Sequence, residues 1–467
     1  MVATLDSRRW MTPIGVAALA VAFGLLAGNS PMLAIAAALG LAFTLLVLAN
    51  LTAGVVAFTA ITFLELLPGL GGSAVTLSKL TGGLLALSWL ATISINRRQQ
   101  VDFFTDHGSL AALGVAFLAL VALSTLWAEA HQPPITTAFR YALNLALLPI
   151  VYTGLRRREH AVWMAAAFVT ASAAAAAYGL VSHPDVSSAG SEQLDRVIGT
   201  IGDPNELAAV LVAGLMLGAA LARLARSPAL KILAATASVL CLATVFLTLS
   251  RGGMIALAAA LTAGVLFGGR ARPTFVVVAA LIAFSTVAYF TVVATPAARD
   301  RITHSDGGTG RTDLWTVGWR VFKANPVVGV GAGNFQVSSL HYVLEPGTLK
   351  RADLVVERHE VTHNMYLQTL AELGIVGLAL FLSIIGACLA CALRAARTFR
   401  ARGDPGMELL SRALIMALIG VLAADFFLSS QFSKQLWLLL AMGPALQGLS
   451  LRPEGALGPP IEEDAAS

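Results

Sequence analysis

The sequence predicts an all-α polytopic integral membrane protein of about 12–14 transmembrane helices, with one long extracytoplasmic loop between the eleventh and twelfth. Three observations predict it. The chain of 467 residues is 57% hydrophobic and 12% charged, where a soluble domain carries about 25% charged residues. Half the usual charge cannot cover a water-facing surface, which excludes a soluble enzyme, a disordered chain and a secreted disulfide scaffold. Apolar stretches recur at about the 20-residue length that crosses hydrocarbon. Basic residues alternate between dense and sparse connections, the pattern of a chain that crosses a bilayer repeatedly.

Arg8 and Arg9 stand before the first apolar stretch, 11–28. No small-residue cleavage site follows, so it reads as a membrane helix rather than a removed signal. Apolar stretches follow at 31–49, 51–67, 79–95, 109–127, 137–155, 161–181, 204–222, 230–249, 253–269 and 274–294. Beyond the long loop come 363–393, 409–428 and 432–449. The close pairs 31–49/51–67 and 230–249/253–269 are where twelve spans would replace fourteen, with one member short or re-entrant. One membrane domain, 1–451, thus includes the extracytoplasmic loop 295–362. The tail 452–467 is Pro/Gly/Glu-rich and expected to be disordered in the cytoplasm.

With both termini cytoplasmic, eighteen of the 31 Lys and Arg fall inside, including Arg97, Arg98, Arg156, Arg157, Arg158, Arg394, Arg397 and Arg400. Eight lie in the long loop, and long loops do not set topology. Five remain outside: Lys79, Arg140, Arg196, Arg251 and Lys434. Snorkelling to the headgroups suffices for Lys79, Arg140 and Lys434. The inside bias also accounts for the net charge of +5 and the pI near 9.3, with no nucleic-acid partner. Cys241, Cys388 and Cys391 all lie in apolar segments, so the C-x-x-C spacing of the last two reads as packing.

The loop 295–362 has the aromatic and Gly/Pro content of an ordered segment: Trp315, Trp319 and Phe322, then Asn325-Pro326-Val327-Val328-Gly329-Val330-Gly331. Apolar positions 314, 315, 317, 318, 321 and 322 predict a short amphipathic helix over 311–323.

Several polar positions fall on the outer side. Arg251, in Thr248-Leu249-Ser250-Arg251-Gly252-Gly253, sits between two apolar segments with almost no connection. Its glycines permit a sharp turn with exposed N–H groups, and an arginine beside such donors suits a phosphate. Asp203 is a plausible N-cap with Pro204 at the first helical position, and Asn205 and Glu206 follow. Arg311 and Arg320 share the amphipathic segment, where Arg320 has a snorkelling reading. Thr362 can cap the twelfth helix, which puts His363 and Asn364 in its first turn. A helix N-terminus disfavours imidazolium, so a neutral His363 could take a hydroxyl proton. Glu372 is a lone carboxylate in a mostly apolar helix, either paired in the bundle or part of a site.

His359-Glu360-Val361-Thr362-His363 also matches H-E-x-x-H. Zinc chemistry by that pattern needs both histidines one turn apart on a helix, with a third ligand. The helix start at Thr362-His363 leaves His359 in the loop, and position 366 is Tyr, so the longer zinc pattern does not continue. A membrane metalloprotease is the least favoured alternative.

Taken in order, Gly202-Asp203-Pro204-Asn205, Ser250-Arg251-Gly252-Gly253, Gly310-Arg311-Thr312-x-Leu314-Trp315, Asn325-Pro326-x-x-Gly329-x-Gly331-x-Gly333-Asn334-Phe335 and His363-Asn364-x-x-Leu367-x-x-x-x-Glu372-x-Gly374 resemble the O-antigen ligase / O-antigen polymerase family of bacterial envelope enzymes. The resemblance covers about 200–375 by motif and the rest by hydropathy. It implies a GT-C-like helical fold and a metal-independent glycosyltransferase without cofactor. Such an enzyme moves a glycan from an undecaprenyl-pyrophosphate carrier to an acceptor at the outer face of the inner membrane. The acceptor is lipid A-core, another carrier-linked repeat unit or another envelope glycan. Arg251 and Arg311 match the arginines on the pyrophosphate, and His363 the histidine that activates the acceptor. The candidate set is therefore His363, Arg251 and Arg311 as catalytic groups, with Arg320, Asn205, Glu206, Asn364, Glu372 and Arg196 as substrate-binding groups. Two arginines can neutralise a diphosphate leaving group without a metal. A transporter or flippase of lipid-linked glycans is the second alternative. It needs ionisable groups in mid-membrane, where only Glu65 and Asp425 are candidates. Six of the eight histidines (131, 183, 304, 341, 359 and 363) map outside instead, which favours surface chemistry.

Overall fold

The computed structural model describes residues 30–64, 77–95, 102–182, 196–269, 272–288, 310–343 and 351–453, with a few positions near 21–28, 291–292 and 349. Most of the expected first span 11–28 and nearly all of the tail 452–467 lie outside the described residues. So do 295–309 and most of 344–350 of the long loop.

Among the described residues all regular structure is helical. The longer helices are α1 (Pro31–Ala49), α2 (Leu51–Ile61), α3 (Leu77–Ile95), α4 (Gly108–Leu123), α5 (Gln132–Gly154), α6 (Arg158–Val181) and α7 (Pro204–Leu224). There follow α8 (Pro228–Leu247), α9 (Arg251–Phe267), α10 (Arg272–Ala288), α11 (Arg311–Ala324), α12 (Met365–Ala401), α13 (Pro405–Ala424) and α14 (Lys434–Leu451). Seven described helices are long and apolar enough to cross a membrane: α4 with the turn after it, α5, α6, α7, α8, α12 and α13. Helices α2, α9 and α10 are apolar but shorter.

Two of the boundary differences have a local cause in the turn chemistry. Of the stretch 51–67, the described residues are helical only to Ile61, and 65–67 lie outside them. There the Thr62 hydroxyl donates back to the Thr59 carbonyl, and the Phe63 carbonyl accepts from Thr200. The twelfth apolar stretch starts two residues late and runs to Ala401, because its cap is Asn364 and not Thr362. Both close pairs are genuine breaks. Asn50 ends α1 and caps α2, and Thr248–Ser250 separates α8 from α9.

Helix α7 is apolar all round, which in a bilayer suits an interior or a lipid-facing helix, and here it is interior. It is 83% buried and packs against α6, α8, α9 and α13. Helix α14 is buried likewise, with Trp437 fully enclosed, against α12 and α5. At the end of the bundle opposite the start of α7, Arg158 Nε meets Asp404 Oδ2 at 2.6 Å. Asp404 also caps α13, so one carboxylate fixes α6 and α13 together.

Helix α12 breaks at Gly374 (φ +63°, ψ −167°). A backbone strap, residues 326–331, plugs the break. Val330 N–H donates to Ala371 O (3.2 Å) and Gly331 N–H to Glu372 O (2.8 Å). Ile375 N–H donates to Pro326 O (2.9 Å) and Val376 N–H to Val327 O (3.2 Å). The polar groups freed by the break are therefore satisfied, as buried backbone requires.

Candidate functional site

The starts of α7, α9, α11 and α12 are joined at one end of the bundle. Asp203 Oδ1 caps α7, accepting from the N–H groups of Asn205 (2.7 Å) and Glu206 (2.9 Å). Ser250 caps α9: its Oγ accepts from Gly253 N–H (3.0 Å) and donates to Asn205 Oδ1 (2.8 Å). The same Asn205 oxygen accepts from Arg196 Nη2 (3.0 Å), while Arg196 Nε donates to Thr248 O (2.9 Å). A Cβ on Gly253 would stand 2.5 Å from the Ala208 Cβ, so glycine is what lets α9 start against α7. This accounts for three residues of Ser250-Arg251-Gly252-Gly253. Serine caps, the second glycine admits the neighbour, and Arg251 is left exposed, with no hydrogen bond or ion pair among the described residues.

Helix α11 begins at Arg311, after Gly310 in the left-handed region (φ +64°). It forms as the apolar spacing predicts, burying Leu314, Val317 and Val321. Trp315 Nε1 donates to Thr362 O (3.0 Å), which ties α11 to the residue before His363. Asn364 caps α12 through Tyr366 and Leu367 N–H (3.1 and 3.0 Å), and Thr362 Oγ1 donates to Asn364 O (2.9 Å). His363 is held between them at φ +48°, outside the helix rather than in its first turn. Among the described residues only three non-glycine residues have positive φ: Leu249, His359 and His363. His363 is itself a candidate catalytic position and Leu249 lies two residues before Arg251, and backbone strain tends to collect at such places.

An aromatic cluster joins the Arg251 and His363 turns. Phe426 and Phe427 follow α13. Phe427 lies against Gly252, 3.5 Å from where a Cβ would stand. Trp315 packs on both phenylalanines (6.1 Å between centroids), and Tyr366 on Phe426 (5.8 Å).

Half-buried His363 has its Nε2 3.5 Å from Glu360 Oε2. Burial and then the nearby Arg311 guanidinium lower its pKa from the ordinary 6.5, against the opposing pull of Glu360 and Asp203. The imidazole is thus favoured in its neutral form. With Nε2–H directed at Glu360, Nδ1 keeps its lone pair and makes no hydrogen bond among the described residues.

The structure brings Arg311, His363 and Asp203 within electrostatic reach, and Arg251, Asn205, Glu206 and Arg196 around the adjoining turn. Five expected substrate groups are bonded within the chain itself. Arg196, Asn205 and Asn364 are occupied as above. Arg320 is buried and donates to Tyr342 O (2.8 Å). Glu372, also buried, accepts from Gly333 N–H (2.7 Å) and from Gln368. The helical turn of the H-E-x-x-H pattern is not formed: His359 and His363 both have left-handed backbone, and the His359 carbonyl accepts from Gln336. Asp425 is buried in the turn after α13, and Glu65 lies outside the described residues.

Sequence reasoning missed Glu360 as a partner of His363, and Trp315, Phe426 and Phe427 as the bridge. Paired aromatics at the end of an apolar run were the available signal, but such residues are common at any membrane interface.

Residues 236–382 match the family model described as O-antigen ligase. This segment is similar to the O-antigen ligase family. It contains Arg251, Arg311 and His363, and the strap together with the helix break it fills. The family works on lipid-linked glycans at a membrane, which agrees with the apolar helical build. No curated protein matches the chain.

Proposed function

We propose that the protein transfers a glycan from an undecaprenyl-pyrophosphate carrier to a hydroxyl acceptor, at the extracytoplasmic face of the bacterial inner membrane and with both termini cytoplasmic. One observation carries the reading. The segment that matches the O-antigen ligase family holds both arginines and the histidine, whose pKa is lowered by burial and by the neighbouring Arg311 guanidinium. In the step, an acceptor oxygen attacks the anomeric carbon as the bond from that carbon to the pyrophosphate oxygen breaks. The hydroxyl proton passes to His363 Nδ1, and Glu360 steadies the imidazolium through Nε2. Negative charge grows on the departing diphosphate, where Arg251 and Arg311 stabilise it. Direct displacement inverts the anomeric centre.

The test uses purified protein with an undecaprenyl-pyrophosphate oligosaccharide, candidate acceptors, and chelator in a parallel arm. A ladder of products indicates polymerisation, and one shifted acceptor band indicates ligation. Arg251→Ala and His363→Ala each abolish transfer in protein that remains folded. Full activity in either variant removes that residue from the mechanism. Passage of the donor across vesicles with no covalent product overturns the transferase reading in favour of a flippase.

A further inference from the structure

We infer that the turn 425–431, between α13 and α14, reads the sugar that is transferred, and that it accepts a neutral sugar and rejects an acidic one. The inference rests on the transferase reading and names what that site selects.

The turn stands out by the bonds it lacks. Buried polar groups are nearly all hydrogen-bonded. Here five buried atoms have no hydrogen-bond partner: both Asp425 carboxyl oxygens, the Ser429 and Ser430 hydroxyls and the Gln431 amide oxygen. More than half of all such atoms among the described residues lie in this one turn. Asp425 is fully buried, Ser430 is 7% exposed and Gln431 is 5% exposed. The deficit is not general to the neighbourhood. Thr62 Oγ1 donates to Thr59 O (2.8 Å), Ser433 Oγ to Gln435 Oε1 (3.0 Å) and Gln435 Nε2 to Thr62 O (2.7 Å). Those three residues line the same polar cavity as Ser429 and Ser430. The cavity encloses about 190 Å³, where a single water needs only about 10–15 Å³. That is far more than one ion fills, and it suits a sugar ring. Because both serines line it, rotation about Cα–Cβ carries each hydroxyl from its buried position into the cavity.

The turn also lies where the transferred sugar is needed. Phe427 rests on Gly252, next to Arg251, and Phe426 on Trp315 and Tyr366, next to the His363 turn. Its aromatic residues thus touch both catalytic turns, and its serines line the cavity. Glu206, in the first turn of α7, lines the cavity too and acts electrostatically on Asp425. A sugar between the departing diphosphate and the base has this turn against it.

The unpartnered atoms state what kind of sugar. The Asp425 and Gln431 oxygens are acceptors that need donors, and the two hydroxyls can act either way. Hydroxyl and amide groups of a neutral sugar bring those donors. Glu206 and Lys434 offset one another in the cavity lining, so Asp425 sets the sign. A sugar carboxylate brings acceptors alone and a second negative charge, a mismatch that selects against it.

The test uses the purified full chain and three undecaprenyl-pyrophosphate donors that differ only in the first sugar: a hexose, its 2-acetamido form and its uronic acid. Transfer is measured for each, and binding is measured for each and for the sugar-free carrier. Wild type favours the neutral donors by about tenfold or more in kcat/KM, and binds them more tightly than the sugar-free carrier. Ser429→Ala/Ser430→Ala loses about tenfold on the neutral donors and little on the acid, so discrimination collapses while the sugar-free carrier binds as before. Its thermal midpoint does not fall, because the deleted hydroxyls are unbonded in the empty protein. A merely structural role gives the opposite, a lower midpoint and an equal loss on all three donors. That result, or equal use of neutral and acidic donors by wild type, overturns the inference and leaves the transferase reading standing. So does equal binding of sugar-free and sugar-bearing carriers, which leaves the cavity to water. Absence of covalent transfer from every donor refutes the transferase reading instead, and the binding comparison then decides by itself whether the turn selects the sugar.

Discussion

Two glycines in one helix should respond oppositely to the same substitution. Gly374 has φ +63° and ψ −167°, a region essentially closed to other residues. A Cβ there would stand 2.2 Å from the Val327 oxygen and 2.3 Å from the Val327 carbonyl carbon. Those are backbone atoms of the strap and cannot rotate away. Gly374→Ala must therefore push the strap out of the break. Four backbone hydrogen bonds join strap to helix, each worth about 1 kcal/mol net. The residual backbone strain adds about 1–3 kcal/mol. The total is roughly 5–7 kcal/mol, a large part of the stability of an ordinary fold. For a chain of this size that lowers the unfolding midpoint by roughly 5–7 °C. Gly386 lies further along α12, and a Cβ there meets nothing within 4 Å. Gly386→Ala should gain up to about 1 kcal/mol from helix propensity. Thermal unfolding of both variants in the same detergent makes the comparison, with glycan transfer measured beside it. A Gly374→Ala midpoint within 2 °C or so of wild type would refute the strap as a structural lock.

Three further substitutions probe the site. Glu360→Gln removes an anion that favours imidazolium, so the His363 pKa falls further below 6.5. Because the base acts when neutral, the acid limb of kcat/KM should move to lower pH; a limb that stays put or rises contradicts the pairing. Ser250→Ala removes the α9 cap at a cost of about 1 kcal/mol and frees Asn205 from the Arg251 turn, so transfer should fall more than thermal stability does. Unchanged transfer would show that the cap does not position Arg251. Glu372→Ala leaves Gly333 N–H and the Gln368 amide without an acceptor, at about 1–3 kcal/mol each. Glu372→Gln keeps an oxygen for Gly333, and equal midpoints for the two variants would dismiss the hydrogen-bond account.

Spans were legible from hydropathy whether or not the helix is interior: α7 is mostly buried and α8 mostly exposed. Helices α5 to α10 fall within a few residues of their apolar stretches, because twenty apolar residues leave the backbone no other way to satisfy itself in lipid. Helix α11 was legible from its spacing alone. What could not be read was the identity of each cap and the use of each glycine. Thr362 and Asn364 are both good caps, two residues apart, and only the Gln368 amide oxygen on Thr362 N–H (3.0 Å) and the Trp315 bond to Thr362 O show that Thr362 belongs to the turn before the helix. Glu372 looked like a lone membrane carboxylate; Gln368, one turn earlier, was a visible partner, but the backbone N–H of Gly333, 39 residues earlier in the chain, leaves no trace in local sequence. The candidate histidine and arginines stood out because so little else in the chain is charged.

The electrostatics of the site follow from the same helix ends. An α-helix start carries roughly half a positive charge, and α7, α9, α11 and α12 all start where Arg251 and Arg311 emerge. Asp203 answers part of that potential at α7, and Ser250 and Asn364 cap α9 and α12 without adding charge. The net field still disfavours a proton on His363, which is the sense of its lowered pKa. On the proposed reading that field reverses when a diphosphate arrives. Its charge offsets Arg311, so the imidazole becomes a better proton acceptor as the donor binds. The base is then weakest in the empty site and strengthened when there is something to transfer.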